Sequence, residues 1–192
     1  MFLRNISLFI FVILFGSAVS AQIYLSKEMP KIEKKWNENT FTSEKSFGDN
    51  IKEAQEFTVL SKILEDKALM AALDDHEMVT IFAVSDVAFS KLDEKQRDSL
   101  LGDKKLMASM VKYLTVPGRI DRHGLEKEAG KRNGTFFLAT LNGENLSVLD
   151  NDGQLYLVDS QGRRAAIIDT DFYHKNGFFH IIDGLVVPET HE

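Results

Sequence analysis

The 192-residue chain carries 23 Lys and Arg against 29 Asp and Glu, a formal charge of -6, with 44% hydrophobic residues and no cysteine. That content fits one cored domain plus a leader, and the acidic balance argues against nucleic acid as a partner, since phosphates call for clustered Lys and Arg. Without cysteine there is no disulfide staple, no thiol nucleophile and no cysteine-rich zinc site, so the fold must stand on its own core.

The first 21 residues combine Arg4, an apolar run from Ile6 to Phe15, and the small-residue stretch Ala18-Val19-Ser20-Ala21. This is the pattern of a signal peptide, and the run is shorter than the roughly 20 apolar residues that span a bilayer. Cleavage after Ala21 is expected, giving a secreted or periplasmic protein with no stable membrane insertion. The leader holds Arg4 and no acidic residue, so its removal takes the charge to -7.

Residues 22–48 are polar and mixed in charge around a lone Trp36, without helical or strand period, and read as an N-terminal extension before a domain at 49–190. Ile51, Ala54, Val59, Leu60, Ile63 and Leu64 then fall at helical spacings, and Leu69, Ala72 and Leu73 mark a second short helix. Val79 to Val84 is a short β-branched apolar run, expected to be a buried strand. Ser85 or Asp86 is placed to cap the helix behind it, which contains Ala88 and Phe89. More helix is expected from Glu94 to Leu101 and from Asp103 to Leu114, stopped by Pro117-Gly118.

After Gly134 the period changes to two, with turn chemistry at Asn142-Gly143, Asp152-Gly153 and Gln161-Gly162. Asn-Gly favours a type I′ turn, so Thr135 to Leu141 and Glu144 to Leu149 are expected to pair antiparallel. The resulting expectation is an α+β domain: a helical N-terminal half packed on a largely antiparallel sheet or sandwich formed mainly by the C-terminal half, into which Val79 to Val84 is recruited.

Three segments resemble the fasciclin domain family. Thr80-Ile81-Phe82-Ala83-Val84-Ser85-Asp86-Val87-Ala88-Phe89 is similar to its first signature, TVFAPTxxAF, with Val84 in place of the family's proline. Asn176-Gly177-Phe178-Phe179-His180-Ile181-Ile182-Asp183-Gly184-Leu185-Val186-Val187-Pro188 is similar to its second, NGxIHxIDxVLxP. Between them Tyr113-Leu114-Thr115-Val116-Pro117-Gly118 resembles YHVVPG, with Leu114 replacing the histidine. The resemblance covers roughly Asn50 to Pro188 and implies a fasciclin-like fold in which Thr80, Phe82, Ala83, Asp86, Ala88, Phe89, Tyr113, Pro117, Gly118, Asn176, Gly177, His180, Ile182, Asp183 and Pro188 define the fold. It also implies a single-domain secreted member used for cell adhesion or matrix contact. In some extracellular members the region of the Tyr-His pair is implicated in integrin binding; Leu114 removes that pair here.

The residues agree without the family. Alternation places Phe179 and Ile181 on one strand face and His180 and Ile182 on the other. His180 is read as a structural histidine bonded to a backbone carbonyl or a side-chain oxygen, and Asp183 as a turn residue accepting backbone N–H groups. Asp169, Asp171, His174 and His180 are the best remaining constellation for a divalent ion, but their spacing fits no familiar loop, and Asp150 to Gly153 is ordinary turn chemistry. No nucleophile elbow, zinc helix or phosphate-binding glycine loop occurs, so no enzyme activity, cofactor or metal is expected. Asn133-Gly134-Thr135 and Asn145-Leu146-Ser147 fit the glycosylation sequon. The leading expectation is an extracellular or envelope adhesion or matrix-interaction module that binds a protein or glycan. The alternative is a periplasmic or secreted carrier or sensor of a small apolar ligand, motivated by Phe136, Phe137, Phe172, Phe178 and Phe179.

Overall fold

The computed structural model describes residues 30–189, and the expected leader at 1–21 lies outside the described residues. Two short strands come first, β1 (Glu33–Trp36) and β2 (Asn39–Thr42), paired antiparallel around a turn with Asn37 at φ 51°. The reading of 22–48 as an extension without strand character is corrected here: Phe41 is 1% exposed and packs edge-on against Phe57, Phe172 and Phe179. Strands of four residues show too little alternation to be read from sequence. Trp36 packs locally, its ring centroid 5.5 Å from that of Phe57.

Six short helices follow, each begun by a recognisable signal or by its tertiary setting: α1 (Phe47–Lys52), α2 (Thr58–Ile63), α3 (Lys67–Asp74), α4 (Asp86–Ser90), α5 (Glu94–Gly102) and α6 (Lys104–Tyr113). Ser46 caps α1, Asp66 caps α3, Asp103 caps α6, and Asp93 with Gln96 forms a reciprocal capping box on α5. The strand β3 (Val79–Val84) sits between α3 and α4 and is buried at every residue. The helix α6 ends at Tyr113, earlier than expected, because Thr115–Pro117 forms a short strand, β4, against β3. A seventh helix, α7 (Arg122–Lys131), bridges to the β half.

The C-terminal half supplies β5 (Thr135–Ala139), β6 (Asn145–Asn151), β7 (Gln154–Val158), β8 (Arg164–His174) and β9 (Gly177–Ile182). The expected pairing of β5 with β6 is present, but not its turn: Asn142 keeps a negative φ, its Oδ1 accepts the Glu144 N–H, and the connection runs from Thr140 to Glu144. The pair with both angles positive, as type I′ requires, is Asp152 (54°) and Gly153 (86°) between β6 and β7.

The seven-stranded sheet has the order β4-β3-β9-β8-β7-β6-β5. It is mixed and not purely antiparallel, because β3 and β9 run parallel, in register from Val79↔Gly177 to Val84↔Ile182. Parallel strands need both faces covered, and both are: Val79, Ile81, Ala83, Phe179 and Ile181 face a cluster with α1–α3 and β2. Phe82, Val84 and Ile182 face a second cluster filled by α6, α7 and the inward residues of β5–β8. β8 bends through two register shifts against β9, and the sheet curls until its ends approach, where the Leu141 N–H donates to the Thr115 carbonyl at 2.9 Å. The result is a barrel-like sheet with α1–α3 against one face of its central strands and α6 and α7 against the other.

Candidate functional site

The two central strands project polar side chains toward the turn after β4. The Thr80 hydroxyl, fully buried, donates to the Gly118 carbonyl at 2.9 Å and accepts the Ile120 N–H at 2.8 Å. Gly118 holds a φ of 92°, a left-handed conformation that glycine adopts without strain. From β9, also fully buried, the His180 Nε2 bonds to the Ile120 carbonyl at 2.9 Å, while its Nδ1 accepts the Asp171 N–H at 3.1 Å. The acceptor role of Nδ1 places the ring proton on Nε2. Burial pushes the His180 pKa below its usual value, so the ring is neutral, against the opposing pull of the Ile120 carbonyl and the Asp171 carboxylate. Asp171, at φ 58° on the β8 bulge, in turn accepts the Arg122 N–H at the start of α7. The network thus ties β3, β9, β8 and the 118–122 turn together.

At its surface end, the exposed Arg119 guanidinium lies 4.2 Å from the Phe178 ring centroid and 5.1 Å from that of Tyr173. Those two rings meet edge-on, at 4.7 Å between centroids. Pro117, two residues earlier in the chain, is also exposed.

The other motif residues are spent inside the fold. Phe82, Ala83, Ala88, Phe89 and Ile182 are core. Tyr113 is buried with its hydroxyl 3.3 Å from the Asn145 carbonyl, and burial pushes its pKa up to about 12, with the Asp159 and Glu144 carboxylates acting the same way. The expected local cap at Ser85 or Asp86 is absent: Ser85 bonds to the Ile182 carbonyl, and Asp86 accepts from Thr58 N–H, Thr58 Oγ1 and Val59 N–H at the start of α2. The Asn176 carbonyl accepts the Val79 N–H. Gly177, at φ 145°, is required by close approach, since a Cβ there would sit 2.0 Å from the Val79 carbonyl oxygen. Asp183 accepts a backbone N–H, as read from sequence, but that of Ala166 on β8, and it also pairs with Lys91. Pro188 is buried.

The carboxylates and histidines considered for a metal lie on two strands, Asp169, Asp171 and His174 on β8 and His180 on β9, and only Asp171 and His180 approach one another, at 3.9 Å. Asp169 pairs with Lys34 of β1, Asp171 belongs to the His180 network, and His174 packs against Phe47. No group of three or more metal-ligating side chains occurs among the described residues. The phenylalanines considered for a ligand pocket are core, with the exception of Phe137. A cleft of about 620 Å³ does occur among the helices, but Val59, Ile63, Leu101 and Met107 line it, together with Lys62 and Lys104, and no phenylalanine does. The sequence did not single out Asp159, whose fully buried carboxylate accepts the N–H groups of Gln161, Arg163 and Val187 and pairs with Arg163. Nothing in a Val-Asp-Ser-Gln-Gly turn distinguishes that aspartate from an exposed one. Lys34 and the stacked state of Arg119 were equally hidden, because both depend on contacts distant in sequence.

The fold and this network define an α+β domain, a curled mixed sheet with helices against its central strands, whose signature residues lock turns and strands to one another. The fasciclin domain family model matches residues 55–188, and the chain belongs to that family. The chain is similar to human periostin, 23% identical over 146 residues, covering 76% of this chain and 16% of periostin. It is 28% identical over 134 residues to protein sll1483 of Synechocystis sp., covering 69% of this chain and 67% of that one. Among solved structures it resembles a FAS1 domain pair from the insect cell adhesion molecule fasciclin I, with a TM-score of 0.54 and 21% identity over 67% of this chain and 45% of that one. The chain therefore spans only a small part of periostin's length. No helix among the described residues is long and apolar enough to cross a membrane.

Proposed function

We propose that the protein is an exported adhesion or matrix-interaction module that recognises a protein or glycan through its surface and catalyses no reaction. Family membership supports the class, and the solved relative is itself a cell adhesion molecule. The observation that carries the reading is Arg119. Its guanidinium is held over Phe178 and Tyr173, on a turn fixed from below by Thr80 and His180. A stacked arginine has lost its side-chain freedom before a partner arrives, while its N–H donors remain free for carboxylate or sugar oxygens, which is why arginine is enriched among residues that dominate binding. The polar side chains of the motif, by contrast, are used internally and leave no activated nucleophile.

The test is saturable binding of the labelled protein to the surface of the producing cells and to their extracted matrix. Arg119→Ala should weaken that binding about tenfold, equivalent to roughly 1.4 kcal/mol, with an unchanged unfolding midpoint. Binding that does not saturate, or that matches that of an unfolded control, would overturn the reading.

A further inference from the structure

The terminal strand of the sheet is unguarded. β5 pairs with β6 alone, and the other end of the sheet reaches it only at the Leu141–Thr115 bond, β4 being three residues long and ending at Pro117. Hydrogen-bonded pairs alternate along an antiparallel ladder. The bonds from Thr140 N–H to Glu144 and from Asp150 N–H to Gly134 fix the phase, so Phe136 and Leu138 direct their backbone groups at β6. Phe137 and Ala139 direct theirs outward, where no partner occurs among the described residues. The side chains of Thr135, Phe137 and Ala139 are exposed as well, Phe137 by 65%. From Thr135 to Leu141 the sequence has no charge and no proline, two of the devices by which edge strands are kept from pairing.

We propose that this edge pairs with β5 of a second copy of the chain, antiparallel and two-fold symmetric about Phe137. In that register Phe137 faces Phe137 and Thr135 faces Ala139, so the outward backbone groups of both strands meet as hydrogen-bonded pairs. An isologous contact of this kind closes at two copies. The flanking charges favour the antiparallel sense. Exposed Arg132 precedes the strand, beside Lys131 that pairs with Glu128, and half-buried Glu144, held by the Asn142 side chain and the Glu189 N–H, follows it, so the two-fold axis brings Arg132 of each copy toward Glu144 of the other. On the same outward face, Leu149 lies diagonal to Phe137 across the β5–β6 ladder and pairs with Tyr156 on β7, while Ile168 on β8 is three strands from the edge.

Sedimentation equilibrium of the purified protein over a concentration series tests the pairing. The wild type is expected to dimerise, and Phe137→Lys, which puts a charge on an exposed edge position, to remain monomeric with an unchanged urea midpoint. Ile168→Lys, on the same face but off the edge, should still dimerise. Because the chain has no cysteine, Phe137→Cys should oxidise to a covalent dimer far faster than Ile168→Cys, the symmetric pair lying within disulfide reach. A wild type that stays monomeric overturns the proposal and leaves the edge to strands of other proteins. A dimer that persists in Phe137→Lys, or that Ile168→Lys alone abolishes, overturns it in favour of face-to-face association.

Discussion

His174 shows what a single buried side chain does to the response of the whole protein. It sits on β8 beside Phe47 and Phe179, its Nδ1 accepts the Asn176 N–H, and its buried Nε2 has no hydrogen-bond partner among the described residues. Burial pushes its pKa down to about 4. The unfolded chain takes up this proton near pH 6.5 and the folded chain only near 4, so between those values the unfolded state binds more protons and stability falls as the pH drops. The loss is fully developed below the lower value and amounts to roughly 3 kcal/mol for this residue; His180, shifted in the same direction, adds to it. Urea midpoints measured from neutral pH to pH 4 should therefore fall steeply in the wild type and less steeply in His174→Phe, which suits an aromatic pocket. A variant that keeps the wild-type slope would assign the acid loss to other groups. The importance of His180 was legible in its motif, whereas its partners were not. They are the backbone carbonyl of Ile120 and the N–H of Asp171, and they reach the ring through a bulge and a positive φ that the residue types do not announce.

Elements depend on groups far away in the chain, and Asp86 is the clearest instance. Thr58 and Val59 begin α2 with no cap of their own, and the carboxylate of Asp86, 28 residues further along, accepts both of their N–H groups. Asp86→Ala should cost about 1–2 kcal/mol, the worth of a charged cap, and should speed amide exchange at Thr58 and Val59 before any change within α4. Exchange that rises only in α4 would restore the local cap expected from sequence. The helices that carry their own signals were legible because those signals are written in contiguous residues: an aspartate cap and a buried stripe for α3 and α6, and an aspartate capping box for α5, which buries no residue. The elements that were missed carry little signal. β4 has three residues, and α7 contains two glycines and buries only Leu125 and Ala129. The hairpin pairing was visible in the alternation, while the turn type depended on the length of the loop that Thr140 and Glu144 close.

At the scale of the whole molecule, the helices-then-strands order predicted the architecture but not the parallel contact at its centre. A parallel partner for β3 had to come from a distant strand, and β9 supplies it because its run from Phe178 to Ile182, apolar but for the hydrogen-bonded His180, can be covered on both sides. One of those covers is the N-terminal hairpin, which begins before the segment matched by the family model at residue 55. β2 delivers Phe41 against Phe57, Phe172 and Phe179, and β1 delivers Lys34, whose ammonium pairs with Asp169 and lies 4.3 Å from the Phe172 centroid. The domain as it folds is therefore larger than the matched segment, and removing the hairpin should expose the sides of Phe57, Phe172 and Phe179 that Phe41 covers. Phe41→Ala should lower stability by about 3–5 kcal/mol, as expected for a fully buried ring whose neighbours collapse only in part. Lys34→Ala, which touches a half-exposed ion pair, should cost under about 1 kcal/mol. A chain begun at Ser43, which lacks the hairpin and keeps α1, should lose more than Lys34→Ala and show a broadened thermal transition with apolar-dye binding, the sign of an uncovered core. If that shortened chain instead unfolds cooperatively at the wild-type temperature, the hairpin is an accessory to the domain, and the aromatic cluster is stable with Phe47, Phe57 and the central strands.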